Sequence, residues 1–81
     1  MKKLKVWGGR WLFKNGHQGR RIVAAYTKKH AIELAGISYR EITEYWSETF
    51  NDVELAVARE VGVWDKQEEW SDDPKAYVRV K

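Results

Sequence analysis

The dipeptide Asn15-Gly16 constrains this chain more than any other feature, because it stands between two runs of strand-forming residues. Asn-Gly is the strongest short signal for a β-hairpin, since both residues tolerate the positive φ angles of a tight turn. The flanking runs, residues 6–13 and 22–26, are rich in β-branched and aromatic side chains. The chain therefore predicts an amino-terminal hairpin. Gly8-Gly9 in its first strand indicates a bulge or a close backbone approach.

A two-residue turn at Asn15-Gly16 would fix which side chains share a face of the hairpin. One face is apolar and is the predicted core face; it carries Trp7, Trp11, Phe13, Ile22, Ala24 and Tyr26. The opposite face carries Val6, Arg10, Leu12, Lys14, His17, Arg21, Val23 and Ala25. In this register Arg10 lies directly opposite Arg21, and like charges at opposed positions destabilise a strand pair. A longer loop, from Gly16 to Gly19, would alter this pairing.

Three short helices are predicted next, because each has capping residues at its start. Thr27 caps a helix over residues 28–35, and Gly36 ends it. Ser38 and Glu41 form a capping box for a second helix that extends to about Phe50. Asn51-Asp52 begin a third helix that ends before Gly62. Its predicted inward residues are Val53, Ala56, Val57 and Val61.

Residues 61–64 and 77–80 have the composition of strands that could join the hairpin. The predicted fold class is α+β: an N-terminal β-hairpin, three short helices and one or two C-terminal strands that complete a small antiparallel sheet. A chain of 81 residues has room for one domain, over residues 1–81, with one core. We assign four of the five tryptophans to that core and Trp70 to the surface; the four are Trp7, Trp11, Trp46 and Trp64.

Charge is divided unevenly along the chain. Residues 1–30 hold nine lysines and arginines and no acid, whereas residues 31–73 hold all twelve acids and only three basic residues. The net charge of +3 conceals this division. Such a division steers association with charged partners. The alternative is that the two blocks neutralise each other within the fold, so that Arg20 and Arg21 pair with acidic residues of the same chain.

Several functional classes find little support in the sequence. The chain has no cysteine, which excludes disulfides, thiolate chemistry and cysteine-based zinc sites. Neither His17 nor His30 has a partner at a catalytic spacing, and Gly8-Gly9 lacks the rest of a phosphate loop. No apolar run approaches the roughly 20 residues of a membrane span, and the amino terminus lacks an apolar signal segment. We expect a soluble cytoplasmic protein that is not an enzyme and uses no cofactor, metal or small-molecule substrate.

Two binding hypotheses remain, and oligomeric state is open. In the first, the hairpin contacts a partner protein through a basic cluster at its tip, because arginine and aromatic residues dominate binding interfaces. The cluster comprises Arg10, Lys14, His17, Arg20 and Arg21. In the second, a helix-turn-helix-like pair over residues 28–47 binds DNA with the hairpin as a basic wing. Its candidate contacts are Tyr39, Arg40 and Thr43, although Glu44 and Glu48 make that surface acidic.

Four stretches carry a resemblance to a known group of proteins. They are Trp7-Gly8-Gly9, Thr27-Lys28-Lys29, Ala35-Gly36-Ile37-Ser38 and Tyr45-Trp46-Ser47-Glu48-Thr49. The pattern resembles small uncharacterised proteins encoded by bacteriophages and prophages, over roughly residues 5–64, and departs from it at Phe50. The resemblance implies a product of the infected bacterial cytoplasm. It further implies a host protein as partner, with inhibition or modulation of host transcription or defence machinery as the expected outcome.

Overall fold

The computed structural model describes residues 3–68 and 73–81. It contains β1 (Lys5–Leu12), β2 (Gln18–Ala25), α1 (Lys28–Ala35), α2 (Tyr39–Glu44), β3 (Ser47–Glu48), α3 (Asp52–Val57), β4 (Gly62–Lys66), a 3₁₀ turn (Pro74–Ala76) and β5 (Tyr77–Arg79). The strands form one antiparallel sheet in the order β3-β1-β2-β4-β5. The predicted α+β class is therefore confirmed, with the hairpin at the centre of the sheet and the C-terminal strands beside β2.

The hairpin is confirmed, but its predicted register is wrong by one residue. Trp7 lies opposite Val23, and Arg10 lies opposite Arg20, because the loop holds three residues and not two. The backbone N–H of Phe13 donates to the carbonyl of His17 at 2.9 Å, and that of Gly16 donates to Phe13. Gly16 has a φ of 82°, the left-handed conformation that closes a three-residue hairpin loop. Arg20 and Arg21 lie on opposite faces of the sheet, as consecutive strand residues do.

The predicted helix caps are confirmed. The Thr27 hydroxyl accepts from the His30 amide, the Ser38 hydroxyl from the Glu41 amide, and the Asn51 side chain from the amides of Val53 and Glu54. Gly36 ends α1 in the left-handed conformation. These starts are local hydrogen bonds between residues two or three apart, so the sequence alone determines them.

Two predicted helix ends are wrong. α2 ends at Glu44 and not near Phe50, because Ser47 and Glu48 leave the helix to pair with Gly8 and Trp7 as β3. The residues after Glu44 are mostly aromatic, β-branched or hydroxyl residues, which favour a strand once an edge is available. α3 ends at Val57, so Val61 is not helical, and the predicted inward Ala56 is exposed. The buried residue of α3 is Glu54.

Both faces of the sheet are buried, whereas one core face was predicted. Helices α1 and α2 cover the face that carries Trp7 and Val23, and Trp46 packs there. α3 and Tyr77 cover the face that carries Val6 and Ile22. The one-residue register correction places Ile22 and Ala24 on this second face, away from Trp7. Trp7, Trp46 and Trp64 are buried as predicted, Trp11 is half-buried, and Trp70 lies outside the described residues.

Candidate binding surface

Arg20, one of the five predicted contact residues, belongs to a buried polar cluster. Its guanidinium donates to both carboxylate oxygens of Glu54, with Nε–Oε2 at 2.5 Å and Nη2–Oε1 at 3.0 Å. The hydroxyls of Thr49 and Tyr77 each donate to the same carboxylate at 2.6 Å. Glu54 is 4% exposed. The cluster therefore connects β2, α3, β5 and the end of β3 through one carboxylate.

This cluster stabilises the fold and is poorly suited to proton transfer. Burial by itself would raise the pKa of Glu54, but hydrogen bonds from Arg20, Thr49 and Tyr77 outweigh it and lower that pKa to about 2. Burial and the hydrogen bond to the Glu54 carboxylate raise the pKa of Tyr77 well above its usual range. A carboxylate that is fully ionised and already accepts four hydrogen bonds has little basicity left for catalysis.

Arg21, on the other face of the sheet, is also held within the chain. Its guanidinium donates to both carboxylate oxygens of Asp65 at 2.6 and 2.8 Å, and to the carbonyl of Ala35 at 2.9 Å. It also stacks 3.5 Å from the ring centre of Trp11. Arg21 thus joins β2 to β4, to the end of α1 and to β1. For these two arginines, neutralisation within the fold is the arrangement observed.

The other three predicted contact residues are exposed but do not form one cluster. Arg10 lies on β1 and has interactions within the chain. Lys14 lies in the three-residue hairpin loop and His17 directly follows it, with the His17 amide donating to the Asn15 side chain. The structure therefore divides the five residues among two sheet faces and a loop, because neighbouring strand residues alternate between faces.

The residues of the DNA-binding alternative lie on a very short helix. α2 has six residues and is about 9 Å long. Arg40 pairs with Glu44 at 3.0 Å, and the Lys28 ammonium lies 5.0 Å from the Tyr39 ring centre. Thr43 is exposed beside them. The surface thus offers one arginine, already adjacent to a carboxylate, where phosphate binding requires several unneutralised cations.

A groove of about 540 Å³ lies beside the outer edge of β1, and we call it the edge groove. Its lining consists of residues 8–10 and 12 of β1, 18 and 20 of β2, 41 of α2 and 45–47 after α2. Two large apolar side chains on its rim are open to solvent: Leu12 is 64% exposed and Tyr45 is 72% exposed. Exposed aromatic and aliphatic side chains around a concave surface are typical of binding sites.

Gly8-Gly9 makes this groove possible. A Cβ at Gly8 would collide with the guanidinium of Arg20 on one face, and a Cβ at Gly9 would collide with the Trp46 ring on the other. The pairing with β2 runs without interruption from Lys5 to Leu12. The predicted close backbone approach is confirmed, and the bulge is absent from this strand. Trp46 is thereby held against β1, and the neighbouring Tyr45 is turned outward over the groove.

Sequence reasoning missed the two residues that distinguish this groove, Leu12 and Tyr45. The predicted register puts Leu12 on the hairpin face that carries Arg10, Lys14 and His17, and not on the predicted core face. The predicted second helix includes Tyr45. The sequence does contain a signal for Leu12: it is an apolar residue that shares its strand face with charged residues near a hairpin tip. Such a residue indicates a contact surface when it is not buried.

A second concavity of about 660 Å³ is lined by residues of the hairpin tip, β4 and β5. It is lined in part by Phe13, Val78 and Val80, and Val78 is 66% exposed. Residues 3–68 and 73–81 contain no cluster of three metal-binding side chains and no helix long and apolar enough to cross a membrane. No protein-family model, curated protein or solved structure matches this chain significantly.

Proposed function

We propose that this chain is a non-catalytic accessory protein of the phage type, which acts in the bacterial cytoplasm by binding a host protein in the edge groove. The observation that carries the proposal is the pair of exposed side chains Leu12 and Tyr45 on the rim of that groove. Binding energy at protein interfaces concentrates in a few such anchors, with tyrosine prominent among them. The exposed Lys14, two residues after Leu12 in the hairpin loop, adds a positive charge that attracts an acidic partner.

The proposal moves the contact surface from the one predicted from sequence. Arg20 and Arg21 form ion pairs within the domain. Charge reversal at either residue would therefore unfold the domain and would not report on binding. Arg10 remains at the groove as a lining residue. The functional hypothesis of protein binding is retained, while the residues expected to carry it become Leu12, Tyr45 and Lys14.

Affinity capture from a bacterial lysate, followed by mass spectrometry, tests this proposal through matched variants. Tyr45→Ala should weaken capture of the partner by at least about tenfold. Tyr39→Ala is the control, because Tyr39 also lies in the α2 region and is similarly exposed, at 65%, but does not line the groove. Leu12→Asp should abolish capture, whereas Val78→Asp, on the opposite edge of the sheet, should leave it unchanged.

Equal losses for Tyr45→Ala and Tyr39→Ala would contradict the proposed site. The DNA-binding alternative would instead be supported if the purified wild-type protein binds duplex DNA with an affinity that falls steeply as the salt concentration rises. Circular dichroism spectra of each variant establish that the domain remains folded.

A further inference from the structure

The outer edge of β1 is covered along only part of its length. β3 pairs with Trp7 and Gly8, and the described sheet has no strand beside the four residues that follow, 9–12. Four residues of strand are about 13 Å long. This stretch of edge is the floor of the edge groove, with Tyr45 and Ser47 at one side of it.

The hydrogen-bond pattern determines which backbone groups face the groove. The Thr49 amide donates to the Val6 carbonyl at 2.8 Å, and the Phe13 amide donates to the His17 carbonyl at 2.9 Å. Even-numbered residues of β1 therefore direct their N–H and C=O groups away from β2, and odd-numbered residues direct theirs toward β2. By this alternation, the N–H and C=O of Leu12 point into the groove.

The outer edge of β1 has few of the features that usually prevent a sheet edge from pairing with another chain. Proline, a bulge or an inward-pointing lysine commonly prevents an edge strand from pairing with another chain. The segment from Lys5 to Leu12 contains no proline, and its pairing with β2 is continuous. No proline or bulge therefore interrupts the residues beside which a further strand would pair.

A second copy of the chain is a poor occupant. The other edge of the sheet, β5, carries Arg79 and is flanked by Lys75 and Lys81, and residues 1–30 contain no acid. Pairing of the open stretch of β1 with β5, or with the same stretch of β1, of another copy would therefore place cationic segments side by side, which is destabilising. The charge of the edge is complementary to an acidic segment of a different protein.

The two sides of the groove require different side chains. On the side of α2, an added strand would face Tyr45 and Trp46 and also Glu41, which favours apolar residues there over acidic ones. On the other side it would face Leu12 and Arg10, which share that face of β1 and line the groove. Successive residues of a strand alternate between these two sides. The groove therefore matches an extended segment in which apolar and acidic residues alternate.

We propose that β1 binds an extended segment of alternating apolar and acidic residues from the partner protein, which adds a strand to the sheet beside residues 9–12. This mode of binding rests on the proposed function and specifies how the edge groove is used. Main-chain hydrogen bonds at an exposed sheet edge supply affinity in such complexes, and the side-chain pockets supply specificity.

Nuclear magnetic resonance of the ¹⁵N-labelled protein tests the proposal with synthetic octapeptides. The first alternates valine and glutamate, and the second alternates valine and lysine. The valine–glutamate peptide should slow exchange of the Leu12 amide by at least about tenfold. The Arg79 amide is the internal control: Val80 donates to Val63, so alternation directs the Arg79 N–H to the outer edge of β5. Its exchange should not change, and the valine–lysine peptide should protect neither amide.

Two variants separate main-chain from side-chain recognition. Leu12→Pro removes the N–H that faces the groove and is compatible with an edge strand, whereas Leu12→Val retains both that N–H and an apolar side chain. Peptide binding should be lost in the first variant and retained in the second. Equal binding by the two variants, or no protection of the wild-type Leu12 amide, would overturn strand addition. Capture of the host protein by Leu12→Pro but not by Leu12→Asp would overturn strand addition while leaving the proposed function intact.

Discussion

Replacement of Glu54 by glutamine removes the charge at the centre of the buried cluster while preserving the shape of the side chain. The pKa of Glu54 falls from 4.5 to about 2 in the folded protein. At about 1.4 kcal/mol per pKa unit, the ionised carboxylate contributes about 3 kcal/mol to the free energy of unfolding at pH 7. Glutamine resembles the protonated acid, so the Glu54→Gln substitution should lower the free energy of unfolding by about this amount. The total free energy of unfolding of a small domain is only about 5–15 kcal/mol.

The lowered pKa of Glu54 also determines how the free energy of unfolding depends on pH. Because folding lowers the pKa of Glu54, its contribution is fully present above about pH 4.5 and is lost as the pH falls toward 2. The difference in unfolding free energy between wild type and Glu54→Gln should therefore decrease from about 3 kcal/mol at pH 7 to about half that at pH 3.

Urea denaturation followed by tryptophan fluorescence measures this difference, since the chain contains five tryptophans. An m-value near 1.5 kcal/mol/M gives a midpoint about 2 M lower for Glu54→Gln at pH 7. Glu44→Gln is the matched control: it also removes a carboxylate from an arginine pair, but on the surface, where the cost is below about 1 kcal/mol. A loss under about 1 kcal/mol for Glu54→Gln, or one that stays constant between pH 7 and pH 3, would refute the reasoning.

Two further substitutions test the contacts made by β1 and β2. Gly9→Ala should destabilise the domain by about 2 kcal/mol, because the added Cβ collides with the Trp46 ring; an unchanged urea midpoint would contradict that contact. Arg21→Lys should lower the unfolding free energy by about 2 kcal/mol, because lysine cannot bind Asp65 with two parallel hydrogen bonds while it stacks on Trp11. A thermal midpoint equal to that of wild type would contradict it.

The buried clusters explain the uneven charge along the chain. Arg20 and Arg21 come from the basic amino-terminal block, whereas Glu54 and Asp65 come from the acidic block that follows. The division of charge therefore serves long-range pairing across both faces of the sheet. What remains exposed on the hairpin includes Leu12 and Lys14, and these residues are available to a partner.

Local chemistry made a large part of the fold predictable. Thr27, Ser38 and Asn51 each accept a hydrogen bond from an amide two or three residues later. Such bonds form within one turn of the chain, so they do not depend on the rest of the fold. The position of the hairpin turn at Gly16 was predictable for the same reason.

Contacts between distant residues decided the rest. The three-residue loop moved the register by one residue and so placed Ile22 and Ala24 on the face opposite Trp7, because a one-residue shift exchanges the faces that the side chains of two paired strands share. Pairing of Ser47 with Gly8 ended α2 early and exposed Tyr45 at the groove.

The sequence by itself thus determined where helices and the turn begin, because capping and turn formation use neighbouring residues. Only the tertiary structure determined which arginines are neutralised, which face each strand residue occupies and which edge of β1 stays open. The neutralisation of Arg20 and the coverage of β1 depend on partners 30 or more residues away, Glu54 for Arg20 and Ser47 for Gly8. No local pattern encodes such a pairing, because many arrangements of the same short elements satisfy the same local preferences.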